Sequence, residues 1–304
     1  MRRRAGLGLL AALGSVVVWA STYPLYKVAY RSIDPVAFMG VRYLIVAAVA
    51  GVVVARRRPM RHVHRRDRRL VLVAGLFGYG FLEFFFALGL ERTTATASAV
   101  LIATHPIVAV GMLAFWQRRR PGRSEVVGLA VGFAGVVVFL GGVAVFVRAG
   151  AGDLLSLLTG VSFGVYGAIV ARLGGRVRDA DLLAITLLVG GVFGSVVAMP
   201  ALLAQDWGAV RPVAWGVAAY ACVFPVVVGV FLWGWALRVR GVARTAPIGF
   251  LEPLFAGALA AAFLGERPSL LNVAGASLVI AGVAVATFGG TRDELVAVAE
   301  PAPR

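Results

Sequence analysis

Four ionisable side chains stand inside apolar stretches of this chain: Arg42, Glu83, His105 and Glu252. An ionisable group at membrane depth costs a few kcal/mol on insertion scales unless it faces protein or water, so each is a candidate for binding a solute or carrying a proton. His105 and Glu252 stand about eleven and nine residues into their apolar runs. At about 1.5 Å of helix rise per residue both fall near the midplane. A carboxyl in that position can carry a proton across an access cycle. The plain alternatives are that His105 bonds a neighbouring backbone group and that Arg42 and Glu83 form a structural ion pair.

Both midplane groups are followed by proline, in His105-Pro106 and Glu252-Pro253. Proline lacks a backbone donor and frees the carbonyl four residues earlier, here Ile102 and Gly249. Pro24, within Trp19-Ala20-Ser21-Thr22-Tyr23-Pro24, does the same for Ala20. Such carbonyls are tolerated in a membrane where they line a cavity or are buried in protein. Of the many aromatics, Trp19, Tyr23, Tyr166 and Trp235 are the candidates for holding the apolar part of a solute. The remainder read as packing or as interfacial belt residues. Among in-span residues, no metal cluster, Ser/His pair or paired catalytic carboxylates can be assembled, so the sequence points away from an enzyme and implies no cofactor and no metal.

These groups need helices to carry them across a bilayer. The chain of 304 residues is 60% hydrophobic, with a mean hydropathy of +0.89. Its charges sit between apolar runs of about twenty residues, the length that spans a hydrocarbon core. The pattern predicts ten crossings, at roughly 7 to 29, 35 to 55, 70 to 90, 94 to 116, 124 to 147, 154 to 172, 181 to 203, 213 to 237, 243 to 264 and 270 to 289. The opening Arg2 to Arg4 followed by an apolar stretch resembles a signal peptide. The run continues to Ala29, so the reading is an uncleaved first span.

Twenty-three of the arginines fall at the termini and in the loops on their side, including eight between Arg56 and Arg69. The opposite side holds Lys27, Arg31, Arg92, Arg148, Arg211 and Arg267. Cytoplasmic loops retain arginine, so both termini are expected in the cytoplasm of a multi-pass protein of the cell membrane. The net charge of +16 is then an orientation signal and gives no reason to expect nucleic-acid binding. The single cysteine, Cys222, excludes an intrachain disulfide.

The second half repeats the first. Thr104 to Val138 aligns on Leu251 to Val285 without a gap, and eleven of the thirty-five positions are identical, among them Pro106 on Pro253, Arg120 on Arg267 and Gly128 on Gly275. Upstream, Phe86-Ala87-Leu88 resembles Trp235-Ala236-Leu237 two residues out of phase. The expected organisation is an all-α polytopic membrane protein of two five-helix repeats, residues 1 to 147 and 148 to 290, with a cytoplasmic tail at 291 to 304. A five-helix unit forces its second copy to enter upside down, the inverted-repeat architecture of secondary transporters. Gly128 to Gly132 and the glycines of the tenth span favour close packing, within the chain or between two copies.

The chain resembles the EamA family of the drug/metabolite transporter superfamily. The resemblance rests on Trp19-Ala20-Ser21-Thr22, Arg42-Tyr43-Leu44-Ile45, Ala87-Leu88 leading into Thr93 to Ala97, Gly152-Asp153-Leu154-Leu155, Trp235-Ala236-Leu237, and Leu251 to Phe255 through Leu264-Gly265-Glu266. It implies a ten-helix bundle around a central cavity and an exporter of amino acids or related metabolites, with drugs or nucleosides as the alternative cargo. The chain departs from the family at His105, a position usually uncharged there, and at Phe115 to Arg119, which replace a Leu-Gly-Glu. The expectation is therefore alternating-access transport of a small molecule, with proton coupling through Glu252 and His105 open, by a monomer or homodimer. A passive pore is the remaining rival.

Overall fold

In the computed structural model residues 2–93, 95–118, 120–139, 150–264 and 269–288 are described, and among them every regular element is helical. Among the described residues six helices are long and apolar enough to cross a membrane: Gly6–Ala29, Pro35–Arg57, Arg68–Arg92, Ala151–Leu173, Asp179–Ala204 and Pro212–Arg240. Each agrees with an expected span to within about four residues. The helix Leu270–Phe288 matches the last expected span, and Arg123–Phe139 matches the start of the fifth. The rest of the fifth span, Thr94, the Gly265-Glu266-Arg267-Pro268 loop and the 291 to 304 tail lie outside the described residues.

Large apolar side chains cover the outside of the bundle: Leu203 is 81% exposed, Phe115 79% and Leu270 89%. Arg42, Glu83, His105 and Glu252 are instead buried. An apolar exterior with the ionisable groups turned inward is the arrangement that lipid demands.

Glycine sets how closely the helices approach. The Arg123–Phe139 helix packs along Leu270–Phe288, and a methyl group at Gly128 would overlap Ala286. One at Gly135 would overlap the Val279 backbone, and one at Gly282 the backbone of Gly132. These glycines are therefore engaged within the chain. Gly135→Leu is expected to cost about 1–3 kcal/mol through overpacking, seen as a lower melting temperature in detergent. Gly111→Leu, at a site with nothing within 4 Å, is expected to leave the melting temperature unchanged. The Pro35–Arg57 helix lies along Asp179–Ala204 by the same device, with the Tyr43 ring seated on Gly194 and Ala47 on Gly191. Its start is fixed by Asp34, whose carboxylate accepts from the amides of Val36 at 2.8 Å and Ala37 at 2.9 Å, while Pro35 occupies the first turn.

Several helices are broken. Arg2–Ala20 ends before Thr22–Ala29; Ala95–Ile102 ends before His105–Gln117; and a 3₁₀ segment, Ala246–Leu251, precedes Glu252–Leu264. In each case the proline, Pro24, Pro106 or Pro253, falls in the first turn of the segment after the break. A first-turn proline loses no helical hydrogen bond, so the chain breaks ahead of it. Hydroxyls take up carbonyls at two of these breaks, with Thr22 donating to the Trp19 carbonyl at 2.7 Å and Thr104 to that of Leu101 at 2.7 Å.

Two further irregularities are π-helical turns, Leu76–Phe81 and Phe224–Gly229. They fall 148 residues apart, within one residue of the 147-residue offset of the sequence repeat. Gly78, Gly80 and Gly229 give the widened turns room, and such bulges recur at functional sites.

Candidate functional site

The broken helices and both π turns converge on one cavity of ≈ 70 Å³. At about 10–15 Å³ per water this holds roughly five waters, so a solute of more than a handful of heavy atoms needs it to open further. Trp19, Thr22, Tyr23 and Tyr26 line it from the first broken helix; Gly78, Tyr79, Leu82, Glu83 and Phe86 from the first π turn and the helix that follows. Ile102, Thr159, Phe163, Pro225, Val230 and Glu252 complete the wall.

Glu252 stands at the first residue of its helix, immediately after the 3₁₀ segment, and is 8% exposed. The Tyr23 hydroxyl donates to its Oε1 at 3.0 Å. This hydrogen bond ties the break in the first helix to the break in the ninth expected span. Across the cavity Arg42 Nη1 donates to Glu83 Oε2 at 2.9 Å, both side chains being buried. Arg42 lies behind Glu83 and does not reach the cavity wall. Its guanidinium sits 4.9 Å from the centre of the Tyr26 ring and 5.7 Å from that of Phe38, while Nε and Nη2 have no hydrogen-bond partner. Ring faces thus supply part of the compensation that further acceptors would otherwise give.

An aromatic cluster floors the cavity. Trp19 meets Phe163 edge-on at 5.0 Å and Trp233 at 5.3 Å, and its indole Nε1 donates to the Pro225 carbonyl at 3.0 Å. His105 belongs to this floor and not to the lining: its ring lies 4.7 Å from Phe163 and 5.8 Å from Trp233, against Gly249, and its Nε2 has no partner. His105 and Glu252, equivalent in the repeat, therefore occupy different settings, one packed among rings and one facing open space.

Of the expected site residues, Glu252, Glu83, Trp19 and Tyr23 line the cavity and Arg42 backs it. Tyr166 packs behind Phe163 and over Gly78, and Trp235 lies in the surrounding core; neither lines the cavity. Tyr26, Tyr79, Phe86 and Phe163 line it and were not singled out from sequence. Only their nearness to Glu83, Tyr23 or the π turn could have marked them. Among the described residues no group of three or more potential metal ligands occurs.

The architecture is that of a multi-pass membrane protein with an internal, largely apolar cavity that carries two carboxylates, an arrangement suited to a transporter. The EamA-like transporter family model fits the chain twice, over residues 6–141 and 150–288, and the chain belongs to that family. It is 29% identical to a protein of Streptantibioticus cattleyicolor named "Probable terminal-alkyne amino-acid exporter", over 88% of this chain and 89% of that one. It is 26% identical to an uncharacterized transporter of Archaeoglobus fulgidus, over 92% and 96% of the two chains. The uncharacterized inner membrane transporter YhbE of Escherichia coli is also 26% identical, over 99% of both. A solved crystal structure covers 94% of this chain and 98% of its own with a TM-score of 0.72 at 20% identity, a likeness of fold alone.

Proposed function

We propose that this protein is a secondary transporter that exports amino acids or related small metabolites by alternating access of two inverted five-helix repeats, ten crossings in all. The observation that carries the reading is the cavity itself: a buried carboxylate, Glu252, faces it where two helices are broken, with Tyr23 bonded across the gap. Inverted-repeat transporters hold cargo at such breaks. The name of the Streptantibioticus relative favours an amino-acid cargo.

The pairing of helices supports the repeats. Arg2–Ala20 packs on Val230–Arg240, and Leu82–Arg92 on Ala151–Leu173. Exchanging the two halves turns the first of these pairs into the second. Pro35–Arg57 with Asp179–Ala204, and Arg123–Phe139 with Leu270–Phe288, each pair a helix with its own counterpart. The double fit of the family model points the same way.

The two ends of the bundle are fastened differently. At the arginine-rich end, read as cytoplasmic, Arg176 grips the buried Asp67 through two hydrogen bonds of 3.0 and 3.1 Å, and Arg238 pairs with Asp179. At the other end the Asp34 amide donates to Gln205 Oε1 at 2.8 Å, the Arg211 amide to Ser32 Oγ at 3.2 Å, the Thr93 hydroxyl to the Asp153 carboxylate at 2.6 Å and Lys27 Nζ to the Thr93 carbonyl at 3.2 Å. The bidentate Arg176–Asp67 pair is the strongest single fastening, and with the aromatic floor it favours a resting state closed toward the cytoplasm.

Reconstituted in vesicles, the protein is expected to show saturable uptake and counterflow of one solute class, with unlabelled solute on the far side accelerating entry of the labelled form. Flux that is linear in concentration and shows no counterflow would point to a passive pore instead.

A further inference from the structure

The charges facing the cavity are of one sign. Two carboxylates, Glu83 and Glu252, line it, and among the described residues no lysine, arginine or histidine does. The nearest cation, Arg42, is spent on Glu83 from behind, and His105 is turned into the aromatic floor. With both carboxylates ionised, and Arg42 counted, the site carries a net charge of −1. Six of the thirteen other lining residues are aromatic: Trp19, Tyr23, Tyr26, Tyr79, Phe86 and Phe163. Ring faces attract ammonium groups and offer nothing to a carboxylate.

We propose that the cavity recognises its cargo by one ammonium group, received by Glu252, and has no subsite for a carboxylate. The proposal rests on reading this cavity as the cargo site. The incoming ammonium takes over the Glu252 oxygens, against the Tyr23 hydroxyl, and the apolar remainder lies on the rings. An anion would meet the unpaired Glu252 carboxylate, with the nearby Arg42 already held by Glu83 and no cationic side chain among the described lining residues to offset it, and like charges brought together are strongly disfavoured. An amino acid enters as an amine that also carries a carboxylate, so removing that carboxylate is expected to help binding and masking the amine to abolish it.

Isothermal titration of the purified protein in detergent with isoamylamine, leucine and N-acetylleucine tests this on one shared apolar tail. Isoamylamine is expected to bind at least as tightly as leucine, and N-acetylleucine at least roughly tenfold more weakly, the factor that 1.4 kcal/mol confers. Glu252→Gln, checked for an unchanged melting temperature, is expected to lose the amine. Leucine binding without isoamylamine binding would overturn the proposal, as would N-acetylleucine binding as well as leucine. If none of the three binds while some other solute shows counterflow, the ammonium rule fails and the transporter reading stands. If no solute shows counterflow, the transporter reading fails as well.

Discussion

Arg42→Met is expected to destabilise the protein by about 3–5 kcal/mol, the cost of stripping one partner from a buried ion pair. Glu83 would be left as an unpaired carboxylate beside Tyr26 and Tyr79, with only the narrow cavity to hydrate it. The guanidinium already holds a compromise, since two of its nitrogens lack acceptors and ring faces stand in for them. Arg42 therefore owes its place chiefly to Glu83. Adding Glu83→Gln to Arg42→Met is expected to recover most of the loss, because an amide removes the stranded charge and keeps the shape. The check is a double-mutant cycle on thermal unfolding in one detergent, with the two single and the double variants side by side. Additive losses in the double variant would mean that the pair is not coupled and that each side chain is held by something else.

The same region shows where sequence reading works and where it stops. Six membrane-length helices were legible to within about four residues because an apolar run has sharp ends: Asp34-Pro35 opens one, and Arg56-Arg57 closes it. The buried charges were legible because each is isolated in such a run, so its cost alone identifies it. Pairing of Arg42 with Glu83 was open beforehand as the structural alternative, and the two are bonded. Which aromatics face the cavity was not legible. A helix that is apolar all round carries no periodic contrast to tell lipid, neighbour and cavity apart, so Tyr166 and Trp235 looked equivalent to Tyr26 and Phe86. The π turns left no local signal either; Leu76–Phe81 and Phe224–Gly229 share position in the repeat but little sequence. His105 misled for a related reason. Its place in the repeat matches that of Glu252, yet Phe163 and Trp233 enclose it, and those contacts come from helices more than fifty residues away.

Glu252→Gln is expected to remove the response of transport to a pH gradient while leaving the fold intact. Glutamine keeps the volume and still accepts the Tyr23 hydroxyl's hydrogen bond, so the link across the two helix breaks survives. What it loses is the exchange of a proton for cargo at one oxygen. In everted vesicles the former outer face lines the interior, so an acid interior drives protons outward through an exporter and cargo inward. One proton coupled across one pH unit supplies 1.36 kcal/mol, about a tenfold accumulation. The wild-type protein is therefore expected to accumulate cargo about tenfold when the interior is one unit more acid than the medium, and not when the gradient is collapsed. Glu252→Gln is expected to show the collapsed behaviour under both conditions. Glu83→Gln separates the two carboxylates, because Glu83 is already neutralised by Arg42 and has no free charge to exchange. Its gradient response is expected to persist, even where the stranded Arg42 lowers the yield of folded protein. A gradient response retained by Glu252→Gln and lost in Glu83→Gln would move the proton to the other wall of the cavity and make the Arg42 pair the moving part.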